Sequence, residues 1–200
     1  MKLLLASNSP RRRELLGGLG WPFEVIIVEG IDESYPEDLS PEDTVRYIAR
    51  KKAAVYTVAD DELVITADTI VVLGNKIMGK PVDASDASRM LRELSGKTHH
   101  VMTAVCIKTA CKQHELCVAT DVTFKELSDD EIDYYVSRYH PFDKAGAYGI
   151  QEWIGFIGVT AIRGSYFNVV GFPVQRIYDE LRREFGISLP SSFNTLEETP

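Results

Sequence analysis

Arg11, Arg12 and Arg13 follow Ser9 and Pro10 in the run LLLASNSPRRRELL. Serine before proline reads as an N-cap with proline in the first helical position. The arginines therefore stand where a helix start carries unsatisfied N–H groups and partial positive charge. An exposed cation there costs about 0.3–1 kcal/mol, so three of them ask for an anion. The turn from Ser7 to Ser9, the backbone N–H groups and the guanidinium forks together make a phosphate site. The alternative is a solvated turn whose arginines pair with carboxylates such as Glu14.

Asp68 interrupts the apolar run VITADTIVVL. An ionised carboxylate there costs several kcal/mol unless it is paired, hydrogen-bonded or bound to a metal. It is either salt-bridged to Lys80, or capping a turn, or placed at the end of a central strand to hold Mg²⁺ or orient a water. GNKIMGKP, from Gly74 to Pro81, nearly matches a phosphate loop, but Pro81 supplies neither the Mg²⁺-binding hydroxyl nor an N–H. A P-loop kinase or ATPase is a poor reading, and Lys80 remains as a cation on a glycine-proline turn. In DKAGAYGIQ, from Asp143 to Gln151, the small residues let backbone approach a ligand, Lys144 suits a phosphate and Gln151 suits a base edge. GSYFNVVGFP reads as a tight segment with Tyr166, Val169, Val170 and Phe172 in the core. His99 and His100 are adjacent, so on a strand they face opposite ways and share no metal site. All four histidines read as structural or solvated, and no nucleophile and base pair up for a Ser-His or Cys-His hydrolase.

These residues need a scaffold, and the hydrophobic pattern supplies one. Strand-like runs cover residues 2–6, 24–28, 63–73, 101–108, 116–124 and 156–162. Helices open at Ser9-Pro10, Ser40-Pro41, Asp83 and the Ser128/Glu131 capping box, and a last one runs from about Val174 to Phe185 with Gly186 as its stop. Such alternation predicts an α/β protein with helices on a mixed or parallel sheet. With 200 residues and 44% hydrophobic content the chain suits a single domain, expected over residues 1–187, with a polar, frayed tail from 188 to 200. A net charge of −8 weighs against an extended nucleic-acid partner while leaving room for a local phosphate pocket. Cys106, Cys111 and Cys117 have no CxxC spacing and read as reduced thiols of a cytoplasmic protein. No apolar run reaches membrane-spanning length.

Taken together, SNSPRRRELL, ADTIVV, GKP, LSGKTHHVMTAV, DKAGAYGIQ and GSYFNVVGFP resemble the Maf family of nucleoside triphosphate pyrophosphatases, in family order from Leu3 to Pro173 and on into the final helix. The resemblance implies a mixed twisted sheet of two lobes around a cleft, akin to the inosine triphosphatase fold, often as a homodimer. It implies hydrolysis between the α- and β-phosphates with Mg²⁺ or Mn²⁺. Asp68 corresponds to the proton acceptor and, with Glu33 of the segment IDES, to a metal carboxylate. Arg11, Arg12, Arg13, Ser7, Lys52, Lys80 and Lys144 correspond to phosphate contacts. The combination of Arg12, Thr69 and Gln151 resembles the branch acting on dTTP and UTP. Glu152 departs from the family's usual glycine and puts the base selectivity in question. Two other readings stand beside this one: a non-catalytic nucleotide sensor regulating cell division, and a pyrophosphatase for purine or modified nucleotides.

Overall fold

The computed structural model describes residues 1–190. In chain order the elements are β1 (Lys2–Leu5), α1 (Pro10–Gly17), β2 (Phe23–Val25), α2 (Pro41–Ala54), β3 (Glu62–Leu73), β4 (Lys76–Met78) and α3 (Ala84–Leu94). They continue as β5 (Thr98–Lys108), β6 (Gln113–Phe124), α4 (Asp129–Tyr139), α5 (Trp153–Gly158), β7 (Val159–Arg163), α6 (Tyr166–Val170) and α7 (Val174–Phe185). The helix boundaries follow the capping chemistry. Ser9, Ser40, Asp83 and Ser128 each accept a backbone N–H of the first turn, and Ser128 with Glu131 completes a reciprocal capping box. Gly186 ends α7 in the left-handed conformation.

The seven strands form one mixed sheet in the order β2-β1-β3-β5-β6-β7, with β4 beside the far half of β3. β1 lies parallel to β2 and β3, and every other pairing is antiparallel. β3 is the axis of the molecule. One side is paired with β5 without a break from Val64 to Val72. On the other side, β1 pairs only as far as Ile65 and β4 takes over only at Val71. Asp68 and Thr69 fall in the interval that neither strand covers.

Helices cover both faces. On one face, Ile70 and Val72 pack with Val45, Ala49 and Ala53 of α2. On the other, Leu63, Ile65 and Ala67 pack under α1 and α7, whereas Val71 belongs to a second cluster under α3, α4 and α5. Thr103, Thr120 and Asn168, all buried, make a polar belt between these two clusters. Among the described residues no helix is long and apolar enough to cross a membrane.

Two strand expectations are corrected. The run 24–28 leaves the sheet after Val25, because Ile27 and Val28 turn out to line the cleft, with Val28 N–H donating to Tyr56 Oη at 3.1 Å. The run 156–162 begins as helix: Ile154 and Gly158 are its buried positions, a helical interval, and Phe156 is 76% exposed. The tail expectation lies partly outside the described residues; within them, Trp21 Nε1 donates to the Ser188 carbonyl at 2.7 Å.

Candidate functional site

The uncovered stretch of β3 opens into a cavity of about 860 Å³, lined by the Ser7–Arg12 turn, the loop after β2, Lys52, Asp68, Thr69, Lys80, Lys144 and Gln151. Alternation along β3 sends Asp68 and Thr69 to opposite faces of the sheet. The cavity reaches both because the strand has no neighbour on its β1/β4 side there.

On the α2 face, Lys52 Nζ stands 2.8 Å from Asp68 Oδ1 and 3.0 Å from Glu33 Oε1. Lys52 and Asp68 are largely buried, at 15% and 13% side-chain exposure, and Glu33 is half exposed. Lys52 lies in the last turn of α2, where a cation is favoured, and Thr66 fixes that helix to the strand by donating to the Ala49 carbonyl at 2.7 Å. The partner of Asp68 is therefore Lys52, not Lys80. Lys80 is exposed at the mouth and has no hydrogen-bond or salt-bridge partner among the described residues.

On the other face, Arg12 turns inward from α1. Its Nη1 donates to the Ala67 carbonyl at 2.7 Å, its Nε to the Gly171 carbonyl at 2.9 Å and its Nη2 to Thr69 Oγ1 at 3.1 Å. The guanidinium thus takes up a carbonyl in the uncovered interval of β3 and ties it to the segment before α7. Burial pulls its pKa below the ordinary value while nearby Asp68 pulls it back up, and it remains a cation. Gly171 has a φ of 114°, which only glycine adopts without strain, and a Cβ there would lie 3.5 Å from Thr69 Oγ1. With most of its donors committed, Arg12 is a wall of the Thr69 side of the cleft rather than a free phosphate clamp.

The other arginines diverge. Arg11 lines the cleft and pairs with Asp143 at 3.1 Å, not with Glu14. Arg13, about 100° further round the helix, is exposed and does not line the cavity. Ser7 is buried and its hydroxyl accepts the Ser9 N–H at 3.2 Å, closing the turn. Lys144 is held by Asp143 at 2.7 Å and by Glu152 at 3.1 Å. Gln151 lines the cavity; Glu152 does not.

The segment read as plain core needs correcting. Phe172 is fully buried, but Val169, Val170 and Gly171 line the cleft, and Tyr166 is 42% exposed. What docks it is Asn168, whose Nδ2 donates to the Val101 carbonyl and to Thr120 Oγ1, both at 3.0 Å. Thr103 Oγ1 in turn lies 3.0 Å from Thr69 Oγ1 and donates to the Asn168 carbonyl at 3.2 Å. Asn168, Thr103 and Thr120 were not singled out from the sequence. An amide inside SYFNVV was the available signal, of the same kind as Asp68 in its own apolar run. His99 is buried and His100 pairs with Asp121, on opposite faces as expected.

Asp68 and Glu33 converge on one positive charge, so a divalent cation suits this donor set. Among the described residues no cluster of three or more His, Cys, Asp or Glu is arranged for a metal, so a cation here would draw on two carboxylates from the protein.

The chain matches the family model described as Maf-like protein over residues 2–184. It is 59% identical over 184 residues to a protein of Phocaeicola vulgatus named dTTP/UTP pyrophosphatase, covering 91% of this chain and 95% of that one. A Bacteroides fragilis protein of the same name is 54% identical over the same shares of both chains. A solved nucleoside-triphosphatase / dITP/XTP pyrophosphatase from Mycobacterium abscessus aligns over the full length of both chains at 14% identity and a TM-score of 0.44, too distant to carry fold or function.

Proposed function

We propose that this chain, which belongs to the Maf-like protein family, hydrolyses dTTP and UTP between the α- and β-phosphates, releasing the nucleoside monophosphate and pyrophosphate. The observation that carries this reading is the adjacency of Asp68 and Thr69 on opposite faces of β3 where one edge of that strand is left unpaired between β1 and β4. A nucleotide lying across the strand edge presents its phosphates to the Asp68 face and its base to the Thr69 face. The relatives' shared name fits that division.

In this reading Asp68 accepts the proton of the attacking water as the oxygen closes on the α-phosphorus and the bond to the bridging oxygen breaks. Lys52, Lys80, Lys144 and Arg11 stabilise the charge spread over the phosphates and the departing pyrophosphate. Ser7 shapes the turn that carries this phosphate wall. Arg13, facing away, is left out. Asp68 and Glu33 would hold Mg²⁺ or Mn²⁺, whose charge, when bound, acidifies water and neutralises phosphate oxygens. Thr69 and Gln151 face the base, with Arg12 holding Thr69 in place. One domain over residues 1–187, of two lobes flanking the cleft, belongs to the same proposal, as do a homodimer and a cytoplasmic location, which rest on the family resemblance alone.

Purified protein with Mg²⁺ and each of dTTP, UTP, CTP and GTP tests the reading, with pyrophosphate and the monophosphate as measured products. Orthophosphate and a nucleoside diphosphate as products, or tight binding without turnover, would overturn it.

A further inference from the structure

Lys144 lines the cleft with only 10% of its side chain exposed, and the structure shows what encloses it. Glu152 Oε1 lies 3.1 Å from Lys144 Nζ. The other oxygen of the same carboxylate accepts the hydroxyl of Tyr135, a fully buried side chain of α4. The Tyr135 oxygen in turn accepts the Gly149 N–H at 3.0 Å. Both ends of the Glu152 carboxylate are thus engaged, one on a buried helix and one on the cleft lysine. A Cβ at Gly149 would fall 2.8 Å from Glu152 Cδ and 3.1 Å from Lys144 Cε, so the backbone closes directly over the pair.

We propose that Glu152 is a positioning residue, which fixes the Lys144 ammonium at the cleft wall without itself reaching the substrate; this rests on the pyrophosphatase reading above. An ammonium has three N–H donors. Asp143 accepts one of them at 2.7 Å, and Glu152 holds the charge as an ion pair at 3.1 Å, so donor capacity remains for a phosphate oxygen. Asp143, 59% exposed and shared with Arg11, cannot fix the lysine alone. Glu152, 20% exposed and anchored to Tyr135, can. A lysine stem has many rotamers, and a cation already held where charge develops needs no reorganisation at the moment of reaction.

Two measurements test this. In a double-mutant cycle on dTTP hydrolysis, E152A should lower kcat about 10-fold in the native background and less than about 2-fold in a Lys144→Met background. Losses that simply add would overturn the proposal, since a residue acting only on the fold does not need Lys144. Limited acetylation of the folded proteins, read by peptide mass spectrometry, should label Lys144 at least about 5-fold faster in E152A than in the native protein, with Lys80 labelled equally in both. Equal Lys144 rates would overturn it. Should E152A fail to fold, E152Q, which keeps the shape and removes the charge, replaces it in both experiments. If the native protein releases no pyrophosphate from any nucleotide, the pyrophosphatase reading falls, while the labelling still decides whether Glu152 holds Lys144.

Discussion

Lys52 Nζ sits 2.8 Å from Asp68 Oδ1, joining the end of α2 to the uncovered interval of β3. The pair is mostly buried, and an unpaired charge of either sign would be costly there. Asp68→Asn keeps the side-chain shape and a hydrogen-bond acceptor for Lys52 but removes the charge. Turnover of dTTP should fall at least ~100-fold with the circular dichroism spectrum unchanged. Near-native turnover in the folded variant would sink the proposed role.

Arg12 and Lys80 were grouped by their charge, and the structure separates them. Arg12→Ala leaves the carbonyls of Ala67 and Gly171 without their donor, so a stability loss of about 1–3 kcal/mol should accompany the loss of activity. Lys80→Ala removes an exposed side chain with no hydrogen bond or salt bridge among the described residues, so its melting temperature should match the native one while kcat/KM falls ~10–100-fold. Thermal melts and steady-state kinetics on the two variants check this, and equal melting temperatures would return Arg12 to a simple phosphate clamp.

Base choice follows from Gln151 and the Thr69 wall. An amide that donates and accepts matches the N3–H and flanking carbonyls of uracil and thymine, while cytosine leaves polar groups unmatched. CTP should be the poor substrate, and Gln151→Ala should narrow the gap. The ratio of kcat/KM for UTP and CTP measures it; a native ratio near unity contradicts the pairing.

The pH dependence of stability carries a contribution from His99. It is fully buried, its Nε2 is 2.7 Å from Tyr148 Oη, and burial lowers its pKa to about 4. A free histidine titrates near 6.5. Between those values the unfolded chain binds a proton that the folded protein refuses, so stability rises with pH through that window. The contribution is complete above about pH 6.5 and is lost as pH falls towards 4, on the order of 3 kcal/mol in all. Urea titrations at pH 7.5 and 4.5 should show a smaller difference for His99→Gln than for the native protein.

Local chemistry was legible and crossings were not. Ser9-Pro10, Ser40-Pro41, Asp83 and the Ser128/Glu131 box mark helix starts because a cap is made within four residues. Asp68 stood out because a charge in an apolar run demands an explanation. Its partner on α2 could not be read from that run, since the pairing exists only where that helix crosses β3. The fate of Arg12 was hidden for another reason: its acceptors are backbone carbonyls, which carry no sequence signature. The six residues of α5 were too few for an apolar run to declare a period, so Phe156 was assigned to a strand.

The cleft has no hinge beneath it. Its two walls are joined by β3 itself, which runs through the floor paired with β5 at every position from Val64 to Val72. A strand clamped in this way is stiff, and bending it at Asp68 would break several ladder bonds together. Entry and exit then fall to the exposed chain that borders the opening, the stretch after β2 that carries Glu33. Loop motions of that sort run on nanosecond to microsecond timescales. The floor that sets Asp68 against Thr69 then stays still while that bordering chain moves.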